Sequence, residues 1–91
     1  MATEILAVGT TAANSDDVVV AAGTPLTVSL KDAAGPAVDP GALVNILLKD
    51  DANEYFKVAQ LDRGRPALII DGAGTYRFSR IAGVSCGVFS G

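Results

Sequence analysis

The chain contains no histidine and no tryptophan, a single cysteine, and two tyrosines with three phenylalanines as its whole aromatic complement. Without histidine it lacks the usual general base near neutral pH and the commonest transition-metal ligand, so catalytic triads and zinc sites are excluded. One cysteine cannot build an internal disulfide framework. Cys86 alternates with Val84 and Val88, the spacing of a small buried hydrophobe and not of an exposed, reactive thiol. Charge is sparse too: 7 basic residues stand against 10 acidic ones, for a net charge of −3. That balance gives no general pull toward nucleic acid. No apolar run approaches the roughly 18 residues a membrane-spanning helix needs, and Ile5 to Val8 is too short for the apolar region of a secretion signal. The expectation is a mature chain starting near residue 1 and made in the cytoplasm, with neither nucleic acid nor membrane as a partner.

What is present is aliphatic. Hydrophobic residues make up 49% of 91 residues, a length that suits one domain and is short of two. Val, Ile, Leu and Ala must therefore form the core. Leu26-Thr27-Val28-Ser29-Leu30 alternates strictly, three aliphatics on one face and two hydroxyls on the other, as a half-buried strand does. Leu43 to Lys49 is a nearly continuous aliphatic run suited to a central strand. After the turn residues Asp50-Asp51-Ala52-Asn53, Glu54 to Leu61 resumes a β pattern, so the two runs read as an antiparallel hairpin. Ala67 to Ile70, Thr75 to Ile81 and Ser85 to Phe89 read as three further strands. Ile5 to Val8 and Val18 to Ala22 read as short ones, split by Gly9 to Ser15. Residues 32 to 41, with Pro36 and Pro40, read as one exposed loop. The whole is expected to be all-β: one domain over residues 1–91, a small antiparallel immunoglobulin-like sandwich or barrel of about eight short strands. Residues 1–16 read either as strand or as an arm that orders on contact with a neighbour.

The stretch Asp71-Gly72-Ala73-Gly74-Thr75-Tyr76-Arg77-Phe78 poses the sharpest question. A glycine loop that cradles phosphate must open a helix, whose first free N–H groups hold the anion. Here a strand alternation follows, so the nucleotide reading fails. The rhythm of Gly72, Gly74, Tyr76 and Phe78 instead suits the tyrosine corner of immunoglobulin-like domains, in which an early tyrosine folds its hydroxyl back onto upstream backbone. The plainer alternative is two core aromatics after a glycine turn. Either reading buries both rings.

Candidate chemistry is thin. Asp16-Asp17 and Asp50-Asp51 are adjacent carboxylates, which a strand points to opposite faces. Asp50 to Glu54 lacks the spacing and central glycine of a calcium loop, and turn chemistry explains it better. No catalytic, cofactor or metal site is expected. Arg63, Arg65, Arg77 and Arg80 are four of the seven basic residues, and arginine suits planar contacts with carboxylates across an interface. They form the expected docking surface, the alternative being solvated faces with local ion pairs. The aliphatic excess and the open edges of such a sheet also call for a partner.

The opening ILAVGTTAANSDDVVVAAGTPLTVSL, the Pro-Gly loop, VNILLKDDANEYFKVAQL, GAGTYRFSR and the closing GVSCGVF together resemble small accessory proteins of tailed-bacteriophage virions, the capsid decoration or cement proteins. The resemblance spans nearly the whole chain and rests on turn and strand patterns. It implies a non-enzymatic structural protein on the capsid surface, binding the major capsid protein and stabilising the shell, often as a homotrimer. The rival expectation is a carbohydrate or cell-surface recognition module on a virion head or fibre, against which the scarcity of aromatic platforms counts.

Overall fold

The structure, a computed structural model, describes residues 3–32 and 41–90. Among the described residues nine strands follow one another: β1 (Thr3–Gly9), β2 (Ala13–Asn14), β3 (Val18–Val20), β4 (Leu26–Lys31), β5 (Leu43–Lys49), β6 (Tyr55–Asp62), β7 (Ala67–Ile70), β8 (Gly74–Arg80) and β9 (Cys86–Ser90). They form two sheets in which every pairing is antiparallel. Sheet A has the order β1-β9-β4-β7; sheet B has the order β2-β8-β5-β6, with β3 also on β8. The all-β expectation therefore holds, and two separate sheets make it a sandwich and not a barrel. The loop expected over residues 32–41 lies mostly outside the described residues.

The inner faces follow from the two-residue period of strands. Val28 and Leu30 of β4, Val44 and Ile46 of β5, Leu61 of β6, Tyr76 and Phe78 of β8, and Cys86 and Val88 of β9 are all buried. Phe78 is the largest fully buried side chain, and truncating such a ring typically costs about 3–5 kcal/mol. Leu43–Lys49 is central in sheet B as expected, flanked by β6 and β8. Its second face is only half-buried, at Leu43, Asn45, Leu47 and Lys49.

The Asp71–Phe78 stretch is a tyrosine corner. The Tyr76 hydroxyl donates to the Gly72 carbonyl at 2.8 Å, and both rings lie inside. One feature departs from the immunoglobulin pattern. There the closing strand lies beside the strand that carries the tyrosine; here β9 runs in the other sheet between β1 and β4, and β2 and β3 take the position next to β8.

The N-terminal segment is strand, not free arm, from Thr3 onward. Its place depends on Gly87. β1 carries two irregularities in its ladder with β9, the second between Leu6 and Gly9, and there β1 presses directly on Gly87. A Cβ at that position would stand 2.7 Å from the Leu6 carbonyl oxygen and 2.8 Å from the Val8 nitrogen, so only glycine admits so close a backbone. Ser15 repairs the gap between β2 and β3. Its main-chain N–H donates to the Phe78 carbonyl at 2.8 Å, and its Oγ accepts from the Phe78 N–H at 3.0 Å. A side chain thus replaces the missing ladder partner.

Candidate functional site

Neighbours across a ladder share a face, so the registers map the outer surface of sheet B. Leu47 faces Arg77, and Lys49 faces both Thr75 and Tyr55. Asp17, just ahead of β3, reaches the same patch. The Tyr55 hydroxyl donates to Asp17 Oδ1 at 2.9 Å, Lys49 Nζ stands 3.3 Å from Asp17 Oδ2, and Arg77 Nη2 donates to the Tyr55 hydroxyl oxygen at 2.9 Å. The Arg77 guanidinium also lies 3.9 Å from the Tyr55 ring centroid, a cation–π stack. Arg77 Nε is buried without a hydrogen bond; Asp17 Oδ1, at 3.7 Å, attracts it as a charge only. The Tyr55 hydrogen bond foremost, with Lys49 and Arg77 in support, holds the Asp17 carboxyl below its ordinary range. One carboxylate is shared between two cations and a phenol, which fixes their positions more than it stabilises the fold.

Beside this cluster runs β6, the edge of sheet B. Ile46 pairs with Ala59 while Leu47 pairs with Lys57, which leaves Val58 as the extra residue of a bulge. The bulge reverses the alternation, so Phe56 falls on the Leu48 side while Tyr55 and Lys57 turn outward. Phe56 and Val58 are each 52% exposed. A shallow depression of ≈ 460 Å³ follows the edge, lined by Lys57 to Gln60, Asp62 and Arg65. Within it Lys57 donates to Gln60 Oε1 at 2.7 Å and Gln60 donates to Asp62 Oδ2 at 2.8 Å. The Gln60 contact, with main-chain N–H groups of Arg65 and Gly64, keeps the Asp62 carboxyl below its ordinary range.

The four arginines do not form one surface. Arg63 and Arg65 are exposed in the turn after β6, and Arg63 lines a second depression, which also includes Asp62 and Ile81. Arg77 lies in the cluster around Tyr55. Arg80 must be removed from the docking set, because it is only 5% exposed. Strand parity explains this: Tyr76, Phe78 and Arg80 share the inward face of β8. The Arg80 guanidinium is solvated by backbone, donating to the carbonyls of Ala7, Thr11 (2.8 Å) and Cys86 (2.9 Å). It joins β8 of one sheet to β1 and β9 of the other. Sequence reasoning did not bring Asp17, Lys49 and Tyr55 together with Arg77, since their meeting depends on the β3–β8–β5–β6 order and leaves no local signal.

Little here suggests reactivity. Cys86 is fully buried, and burial pushes its thiol up. Asp50 accepts the N–H groups of Ala52 and Glu54 on one carboxylate oxygen, both at 2.8 Å, and Asn53 takes the left-handed conformation at φ 61°, so this segment is a turn as expected. Among the described residues no group of three acidic or cysteine side chains is placed to hold a metal ion, and no helix is long and apolar enough to cross a membrane. No family model, no curated protein and no solved structure matches the chain.

Proposed function

We propose that the chain is a structural protein of a tailed-phage virion that attaches to the outside of the capsid and strengthens it, with the β6 edge as the strip that meets the major capsid protein. The observation that carries this reading is the pair Phe56 and Val58, half-exposed on the eight-residue edge strand and flanked by Lys57, Arg63 and Arg65. Apolar anchors rimmed by charge are what a protein interface uses for affinity and register. The resemblance of the whole chain to decoration proteins supports the major capsid protein as the partner. The work is adhesion and not catalysis, and the chain supplies a stiff aliphatic sandwich with open main-chain edges for it.

Magnitudes limit the mode of attachment. Covering the exposed halves of Phe56 and Val58 contributes about 2–3 kcal/mol in all, less than ordering an interface consumes. A single copy would hold weakly, so attachment gains its strength from several linked copies that engage neighbouring capsomers at once. Tyr55 is the aromatic best placed as a sugar platform, yet Arg77 already covers one face of its ring; the carbohydrate reading gains nothing from it. The test is binding of the purified protein to capsid shells stripped of it, followed by sedimentation. Phe56→Asp and Val58→Asp should each abolish co-sedimentation while circular dichroism stays unchanged. Full binding by folded Phe56→Asp and Val58→Asp proteins would overturn the assignment of the edge, and no binding by the unaltered protein would overturn the function.

A further inference from the structure

Only one aspartate or asparagine of the chain is followed by glycine, and that is Asp71. With Gly72 and Ala73 it forms the connector that carries the chain from β7 in sheet A to β8 in sheet B. All three residues are exposed. The connector is pinned at one point, where the Tyr76 hydroxyl donates to the Gly72 carbonyl at 2.8 Å. Otherwise the pair is untied: among the described residues neither the Asp71 carboxylate nor the Gly72 N–H has a hydrogen-bond partner.

An aspartyl carboxyl can be attacked by the main-chain nitrogen of the next residue. Nucleophile and electrophile belong to neighbouring residues, so the step is intramolecular and needs only access and freedom to turn. A side chain on the second residue hinders the approach, and a hydrogen-bonded N–H holds the nitrogen in place. Gly72 removes the first obstacle, and its unpartnered N–H removes the second. Other candidates keep at least one of them. Ser15, after Asn14, donates its N–H to Phe78, while Ala52, after Asp51, and Glu54, after Asn53, donate theirs to Asp50. The carboxylates of Asp17 and Asp62 are engaged by Tyr55 and by Gln60.

We propose that Asp71 is a modification site, rearranging spontaneously to isoaspartate, and that the product releases the tyrosine corner. The Gly72 nitrogen bonds to the side-chain carboxyl carbon of Asp71, whose hydroxyl leaves with the amide proton as water, giving a succinimide. Water then adds at the main-chain carbonyl carbon of Asp71 and breaks its bond to nitrogen. The chain now runs through the former side chain and is one methylene longer, and the old main-chain carbonyl has become a free carboxylate. Mass and charge return to their starting values. The connector does not, because the added methylene displaces the Gly72 carbonyl from the hydroxyl of Tyr76, a buried residue. A buried hydroxyl that loses its partner destabilises the fold. The pair is thus a slow covalent switch at the crossing between the sheets, and it stands without the capsid reading.

The test ages the purified protein for weeks in mildly acidic buffer at physiological temperature, then applies trypsin and electron-transfer fragmentation, which tells the two linkages apart. Cleavage after Arg63 and Arg77 releases residues 64–77, in which Asp71 is the sole aspartate or asparagine. Isoaspartate should accumulate there with time and ahead of every other position. Asp71→Glu keeps the charge but needs a larger, far slower ring closure, and should show no rearrangement. Gly72→Ala sets a methyl at contact distance, 3.4 Å from the Tyr76 hydroxyl, and should slow the accumulation at least several-fold. The isoaspartyl form, isolated by chromatography, should unfold at a lower temperature than fresh protein, while Asp71→Glu aged alongside keeps its midpoint. Residues 64–77 free of isoaspartate, earlier formation at Asn14, a Gly72→Ala protein that reacts as fast, or an isomerised protein with the fresh midpoint would each overturn the proposal.

Discussion

Arg80 offers the most informative perturbation, because its removal tests how the two sheets are tied together. The guanidinium donates to three carbonyls on β1, on the segment after β1 and on β9, and its Nη2 packs against Gly9, where a Cβ would stand 2.9 Å away. Arg80→Met keeps most of the aliphatic stem and deletes the donors. Two effects oppose. The variant no longer buries a cation, which is favourable; it also strands carbonyls that had a charged donor, each such bond contributing about 1.5–3 kcal/mol. Ala7 and Thr11 are exposed residues, so water can reach their carbonyls after the change. Cys86 is fully buried, so its carbonyl bears the whole loss. The balance is a net loss of about 2–4 kcal/mol, a large part of the roughly 5–14 kcal/mol expected for a domain of this length. Arg80→Lys, with one compact donor group, should lose about half as much. Urea unfolding followed by circular dichroism measures both, and hydrogen exchange should show the lost protection concentrated in β1. Arg80→Met within about 0.5 kcal/mol of the unaltered protein, the range of an ordinary surface change, would refute the clamp.

Three further outcomes follow from the same geometry. Gly87→Ala drives a methyl into the β1 main chain, which cannot yield as a side chain would, so thermal unfolding should show a loss of about 1–3 kcal/mol; an unchanged midpoint would mean that β1 does not press on β9 there. Ser15→Ala leaves the buried Phe78 N–H without its acceptor and should cost about 1–3 kcal/mol by urea unfolding, whereas Ser15→Thr, which keeps the acceptor, should lose less. Asp17 has a folded pKa below its unfolded value, so its contribution is present above the unfolded value and is lost as pH falls through the folded one. Tyr55→Phe removes the largest cause, and a carboxyl-detected NMR titration should then find Asp17 ionising at higher pH; an unmoved titration would contradict the cluster.

Much of the fold was legible because alternation and turn chemistry are local. Leu43–Lys49 and Ala67–Ile70 match their expected bounds, and the strand expected from Glu54 begins at Tyr55 because Asp50 captures the Glu54 N–H in the turn. The strand expected over Val18 to Ala22 stops at Val20, since Gly23 turns the chain at φ 78° and Thr24 N–H closes on the Ala21 carbonyl. β2 escaped notice because two residues, Ala13 and Asn14, show no alternation. The crossing of β9 into sheet A was illegible for another reason: local pattern fixes which residues face inward and is silent on the sheet they join. Arg80 is the instructive miss. Charge suggested surface, yet counting by twos from Tyr76 and Phe78 already placed it inside. Asp17, Lys49, Tyr55 and Arg77 are far apart in sequence and meet only through strand order.

If the sandwich adheres to a phage shell, as proposed, the chain must be part of the particle. Mass spectrometry of intact, gradient-purified phage particles, raised in a host in which the chain is expressed from its own gene, addresses it most directly. The proposed role requires the chain in fixed, multi-copy proportion to the major capsid protein, and its loss from particles carrying Phe56→Asp. Intact particles that lack the chain altogether would contradict it.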